Sequence, residues 1–325
     1  MAETASALSG AIAKPKRRLL LVDLIIRLVK EKPLGTLGGV IVLVVFIVGI
    51  FADVLAPYGM NEMSLGARLS SPSAEYVLGA DELGRDLLTR IIFGARISMI
   101  VGLAGSALAA FTATIIGIFS GFLGGKFDIT VQRFVDAWMC FPWLFLVLSI
   151  MAVLGPGLLQ VILVLGLLNG IRSSRVVRSA VIGIKENVYV EAATAIGCST
   201  WGTLSRHILP NIAAPIIIIF TVAMGYMILA EASLSFLGFG IPPPYPSWGG
   251  MLSGAGRAYM YQAPGLAIWP GLALAVVVFG VNMLGDGVRD ILDPRLRGGL
   301  GRYSGVKAKR AKKYRHEDKQ PQEKA

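Results

Sequence analysis

Side chains able to do acid–base, nucleophilic or metal chemistry are few in this 325-residue chain, and they lie far apart. Two histidines (His207, His316) and two cysteines (Cys140, Cys198) fall at spacings that assemble no metal-ligand cluster. No Ser-His-Asp set and no pair of in-membrane carboxylates is placed for catalysis, so the chain is expected not to be an enzyme and to bind no cofactor or metal of its own. One stretch imitates a phosphate-binding loop, GFLGGKFD at 121–128. The true pattern would need Gly at Ser120 and a hydroxyl at Phe127, and it would follow a strand, whereas this stretch follows an apolar run. Among the acids, Glu231 stands out at the outer end of an apolar run. An ionised group at membrane depth costs about 2.5–3.5 kcal/mol at a helix centre and is often functional. Glu231 is therefore a candidate for lining a polar path between helices or for a helix-end contact with a neighbouring subunit.

The elements that must hold these residues are set by lipid. The chain is 54% hydrophobic and only 16% charged, with a mean hydropathy of +0.67, against the roughly 25% charge of a soluble domain. Its net charge of +11 does not indicate nucleic acid, because the basic residues flank apolar runs instead of alternating with aromatics. Uncharged runs of 19 residues (34–52), 29 residues (97–125) and 35 residues (137–171) are each long enough to span a bilayer. The first is read as an uncleaved span, not a signal peptide. Gly117, Gly121 and Gly125 form a close-packing stripe at the exit of the second. Gly155-Pro156-Gly157 divides the 35-residue run into a third and a fourth helix. Arg172, Arg175 and Arg178 carry the fourth on as a helix with one polar face. Spans from about Ile212 to Ala230 and from about Pro264 to Gly285 complete six.

Six spans place both termini on one side. The segments on that side hold 26 of the 31 Lys and Arg residues, so it is expected to be cytoplasmic. Both cysteines then lie at cytoplasmic helix ends, which argues against a structural disulfide. Three regions follow: an N-terminal basic and interfacial segment at 1–33, a six-helix membrane domain at 34–298 with a long cytoplasmic loop at 172–211, and a basic tail at 299–325 expected to be disordered or to lie on anionic lipid. Within the first, Leu19 to Lys32 reads as a short amphipathic helix at the interface.

That long loop contains EAATAIGCSTWGTLSRHILPN, from Glu191 to Asn211. Neighbouring spans need only a handful of residues to connect them. This connection is far longer and reads as two short helices, with Gly197 able to stop the first and Ser199 or Thr200 able to cap the second. Ala192, Ala193 and Ala195 are too small to anchor in lipid and suit close packing into a groove on another protein.

The stretch resembles the Glu-Ala-Ala loop of permease subunits in binding-protein-dependent ABC importers: EAA, three residues, Gly, then nine residues before I-x-LP. Glu191, Ala192, Ala193, Gly197, Leu209 and Pro210 fit, and His207 stands where the general pattern has Ile. Three further stretches resemble the peptide branch of that family, LGADELGRDLLTRIIFGARISM (78–99), LSFLGFGIPPPYPSWGGML (234–252) and NMLGDGVRDILDPRLR (282–297). The resemblance covers about Leu34 to Arg297. It implies an all-α, six-helix integral membrane protein with the type I importer permease fold, in the cytoplasmic (inner) membrane. It also implies a homologous permease partner forming a heterodimer, two ATPase subunits that carry ATP and Mg, and an extracytoplasmic solute-binding protein. In this family the Glu-Ala-Ala segment is the coupling helix that sits in the ATPase, here near 189–200. The solute expected is a peptide, with a nickel chelate, glutathione or a glycan as the alternative within the same family. An ion-driven secondary transporter would call for intramembrane carboxylates and broken helices in repeated halves, and a non-transporting scaffold would not need the long loop.

Asp81, Glu82, Arg85 and Asp86 read as a solvated helix start or a contact for a solute-binding protein. Pro242, Pro243, Pro244 and Pro246 stiffen an outer loop before Trp248, which reads as an interfacial anchor. Asp286, Arg289, Asp290, Asp293 and Arg295 are expected to form local ion pairs.

Overall fold

The computed structural model describes residues 20–63 and 67–292. The basic tail, His316, Asp293, Arg295 and the first nineteen residues lie outside the described residues. Helix α1 (Leu20–Glu31) is the short amphipathic segment at the N-terminal side. It leads into α2 (Pro33–Ile50), with Pro33 in the first helical turn where a missing N–H costs nothing. The remaining long helices are α3 (Leu87–Leu123), α6 (Leu158–Lys185), α8 (Ala213–Phe236) and α9 (Gly265–Leu292), and between them lie α4 (Gly125–Met139), α5 (Trp143–Leu154) and α7 (Val188–Ala195).

Five of these helices, α2, α3, α6, α8 and α9, are long and apolar enough to cross a membrane. The sixth expected span differs in form. At 12 residues α5 is about 18 Å long, short of the roughly 30 Å hydrocarbon core, and it makes a span only with α4, from which it is bent by 88°. The bend falls at Cys140-Phe141-Pro142, because Pro142 withholds an N–H and biases the residue before it away from helix. As expected, α6 runs on past the bilayer length, through Arg172, Arg175 and Arg178 to Lys185.

Helix α3 is the axis of the molecule, packed on α6, α8 and α2, while α9 closes against α2 and α8. Its closest neighbour is α6. A Cβ on Gly117 would lie 2.6 Å from Val177 Cβ, and one on Gly121 would lie 2.9 Å from the Arg178 carbonyl. From the other side, a Cβ on Gly170 would lie 2.6 Å from Thr112 Cβ and 2.8 Å from the Ala109 carbonyl. Two of the three glycines of the expected stripe therefore pack closely. Gly125 does not: it starts α4, at φ +57°, with open space around it.

Polar ties fix the helix ends nearest α7. Arg178 on α6 donates from Nε and Nη2 to the two oxygens of Asp128 on α4, at 2.6 and 2.5 Å, and Ser120 on α3 donates to the same carboxylate. Lys185 reaches the Phe122 carbonyl at 2.7 Å, and Arg175 pairs with Asp136. Lys32 pairs with Asp290 at 2.6 Å across 258 residues, so among the described residues this acid joins distant parts of the chain and has no local ion pair. At the other end of α2, Arg96 binds Asp53 at 2.7 Å and holds that carboxyl below its ordinary pKa by hydrogen bond and charge.

The outer segments are more enclosed than their sequence suggests. Asp81, Arg85 and Asp86 are buried: Arg85 Nε donates to Asp81 at 2.7 Å, and Asp86 caps α3 by accepting from the Thr89 N–H at 2.7 Å. They are structural parts of the start of α3, not a solvated face, because Arg85 and Asp81 pair with each other and Asp86 accepts from the first turn of the helix. Trp248 is 2% exposed and donates to the Ile91 carbonyl at 3.1 Å, with its ring against Gly94. It fills the core between α3, α8 and α9 and does not act as an interfacial anchor.

Gly117→Ala and Gly170→Ala are each expected to destabilise the detergent-solubilised protein by about 1–3 kcal/mol in a thermal melt, through overpacking. Gly183→Ala, on the same helix with open space around its Cβ, is expected to be neutral or to stabilise by about 0.5–1 kcal/mol. Equal melting temperatures for all three would rule out close packing as the reason for glycine at 117 and 170.

Candidate functional site

The segment after α6 is built from two helical pieces tied together by side chains. Helix α7 begins only three residues after Lys185, so the two helices are nearly continuous. Val190 and Ala193 are its buried positions, three residues apart on the face turned inward, while Glu191 and Ala192 are exposed. The helix ends in a Schellman motif. The Gly197 N–H donates to the Thr194 carbonyl at 3.0 Å and the Cys198 N–H to the Ala193 carbonyl at 3.0 Å. Gly197 takes φ +86°, a left-handed conformation that costs an ordinary residue about 1–2 kcal/mol, and no atom lies within 4 Å of where its Cβ would be.

Ser199 then caps the second piece, accepting from the Gly202 N–H at 3.1 Å. The helical turn Thr200–Thr203 passes into a π-helical turn, Leu204–Ile208, closed by the Leu209 N–H on the Leu204 carbonyl at 2.8 Å. Pro210 has no N–H to continue the ladder, so Leu209 and Pro210, both exposed, mark the corner into α8. Leu204, Ile208 and Ile212 are buried four residues apart, in one cluster with Val177 and Val181 of α6, Ala113 of α3 and Ile219 of α8. Any push on this segment therefore meets the roots of three membrane helices.

The two pieces are tied to each other by residues that spacing alone did not single out. Asn211 donates to the His207 carbonyl at 2.6 Å and to the Tyr189 hydroxyl at 3.2 Å, and the Tyr189 and His207 rings lie 6.3 Å apart. His207 thus has a local partner that an isoleucine would not match in the same way. The apolar side chains at the surface were missed as well: Val188 is 79% exposed, Ile196 83% and Trp201 72%. A tryptophan in a short polar-flanked loop was the available signal.

Of the residues marked in the sequence, Glu191, Ala192, Ala193 and Gly197 come together on α7 and its cap, with Leu209 and Pro210 at the far end of the same segment. Glu231 is not among them. It sits on α8 with 0% exposure, accepting from the Ser235 hydroxyl at 2.7 Å, and the Ser235 oxygen in turn accepts from the Ile241 N–H at 3.1 Å. Its second carboxylate oxygen has no hydrogen-bond partner among the described residues. Within this chain the outer loop covers it, so it faces neither an open path nor the surface.

The comparisons agree with this architecture. The family described as binding-protein-dependent transport system inner membrane component matches residues 113–298, more than half of the chain. A Brucella suis biovar 1 protein named as a peptide transport system permease is 41% identical over 259 residues, 78% of this chain and 87% of its own length. The dipeptide transport system permease protein of Alkalihalophilus pseudofirmus is 38% identical over 82% of this chain and 88% of its own. The glutathione transport system permease protein of an Escherichia coli O6:K15:H31 strain is 36% identical over 83% and 89%. The inward-facing MetNI methionine ABC transporter aligns with 63% of this chain and 96% of its own at a TM-score of 0.48 and 18% identity, a likeness too loose to bear on function. This chain belongs to the family of binding-protein-dependent transport system inner membrane components, as a multi-pass permease of the inner membrane.

Proposed function

We propose that this permease serves an ATP-driven importer of peptides, and that the segment from Tyr189 to Thr200 is its docking element for a separate ATPase subunit. The observation that carries the docking role is three exposed apolar side chains, Ile196 within that segment and Val188 and Trp201 just outside it, on a stretch that continues into Leu204, Ile208 and Ile212, packed against α3, α6 and α8. Exposed apolar side chains of this size are costly in water and are stable when a partner covers them. Glu191, Ala192, Ala193 and Gly197 shape the surface, Leu209 and Pro210 set the return into α8, and Glu231 supports the loop folded over it from within. Relatives named for peptide, dipeptide and glutathione transport support a peptide solute. ATP and Mg belong on the partner ATPases. An extracytoplasmic solute-binding protein and a homologous permease complete the assembly. The docking segment and both termini face the cytoplasm, residues 1–33 and 299–325 flank the membrane domain, and closing of the ATPases shifts the permease between inward- and outward-open populations.

The ion-driven alternative gains no support. Among the described residues the broken helix pair occurs once, not in two repeated halves.

Ile196→Asp and Trp201→Ala are each expected to remove ATPase subunits from the complex co-purified in mild detergent, a loss of about 2 kcal/mol or more for a central contact. Gly197→Val, which keeps those contacts and strains the cap, should weaken recovery by about tenfold, and Gly197→Asn should be milder. Undiminished ATPase recovery in all four would end the docking assignment. In a Cys140→Ser background, Cys198 is expected to react with a membrane-impermeant maleimide in inside-out vesicles and not in intact cells; the opposite pattern would invert the topology.

A further inference from the structure

Of the three arginines that recur along α6, two are used. Arg175 and Arg178 pair with Asp136 and Asp128, whereas Arg172 has no ion-pair partner among the described residues. Its side chain lines two adjoining cavities, of about 270 and 710 Å³, which share Asn169, Arg172 and Tyr226. Neither cavity is lined by a carboxylate among the described residues, and the larger one adds a second guanidinium, Arg289, which has no ion pair among the described residues either. By contrast, the cavity beside the outer loop is lined by Arg85 and Arg90 together with Asp81 and Glu82, and so neutralises itself.

Neutral donors add to the charge. Ser173 donates to Asn169 Oδ1 at 3.4 Å, which turns the amide N–H groups away from that neighbour. Tyr226 stands with its ring 5.4 Å from Trp143. Trp138, Met139 and Phe141, at the bend between α4 and α5, form the apolar wall of the smaller cavity. Irregular backbone at membrane depth persists where it lines a cavity or is covered by protein. A guanidinium, an amide and a phenol shared by both cavities, with a second guanidinium lining the larger and an aromatic wall lining the smaller, fit an anionic group carried on an apolar body.

We propose that Arg172, with Asn169, Tyr226 and Arg289, forms a subsite in this permease that binds the carboxylate of the solute in transit, its side chain resting on Trp138, Phe141 and Trp143. The assignment rests on the peptide reading above, since any peptide with a free C-terminus brings such a carboxylate.

The test uses the complete importer in lipid nanodiscs without its binding protein. Saturation binding is measured for radiolabelled tri-alanine and for its C-terminal amide, in the wild type and in Arg172→Gln and Arg172→Lys. The wild type should bind the free acid at least about tenfold more tightly than the amide. Arg172→Gln should erase that ratio, and Arg172→Lys should keep part of it. Recovery of the partner subunits with each variant separates lost binding from lost assembly. No saturable binding by the wild type up to about 10 mM would overturn the proposal, as would an acid-to-amide ratio unchanged in Arg172→Gln. Loss of co-purified phosphatidylglycerol in Arg172→Gln, with that ratio unchanged, would assign the guanidinium to a lipid headgroup and overturn it equally. ATP-driven uptake of the same peptide by the wild type with its binding protein is scored separately, so failure of the peptide reading is distinguishable from failure of the subsite.

Discussion

The closeness of α3 to α6 is the constraint on which the rest of the molecule depends. Gly117 and Gly121 on one helix and Gly170 on the other leave no room for a Cβ, so the two backbones meet directly. In lipid there is little hydrophobic gain from bringing helices together, and shape-matched contact of this kind supplies the attraction. The bidentate pair of Arg178 with Asp128, with Ser120 on the same carboxylate, then fixes rotation and register at the inner end of that pair. Helix α7 leaves α6 a few residues later. Its position in space is thereby decided by packing inside the membrane.

That arrangement makes the segment from α7 to Ile208 two-sided. One side is spent on internal order: Val190, Ala193, Leu204 and Ile208 are buried, and Tyr189, His207 and Asn211 bind the two pieces to each other. The other side keeps Val188, Ile196 and Trp201 in the open. A surface that is rigid behind and apolar in front can receive a force and pass it on without first collapsing. The left-handed glycine at 197 serves the same end, because a Schellman cap stops α7 within one residue and leaves the next piece free to turn.

Polar groups divide by how the fold treats them. At the outer end, Asp81, Arg85 and Asp86 are consumed in building the start of α3, and Glu231 is enclosed with Ser235 beneath the outer loop. Toward the other end, Arg172 and Arg289 line a cavity that no carboxylate lines among the described residues. Charges that are paired locally stiffen a scaffold, whereas charges left without partners beside a cavity are available to a ligand.

Much of this was legible in the sequence, since lipid leaves few choices. Uncharged runs of bilayer length must become helices, because every backbone group has to be satisfied within its own segment. Four of the expected spans beyond the first followed that rule or extended past it, and the Glu-Ala-Ala segment stood out by its length and by its resemblance to the loop of importer permeases. The short α5 did not follow from length, because an uncharged run says nothing about a bend: Pro142 sets one, and only neighbouring helices decide that it becomes 88°. Likewise, Trp248 and Glu231 could be placed near the outer boundary from sequence, yet whether they face lipid, path or core depends on where the outer loop folds back. The three arginines of α6 carry the same lesson. Their spacing of three residues determined that they share a face, and only the position of α4 decided that Arg175 and Arg178 have partners there while Arg172 has none among the described residues. Spacing along one helix fixes direction, but pairing needs a second helix, and that is a property of the tertiary structure alone.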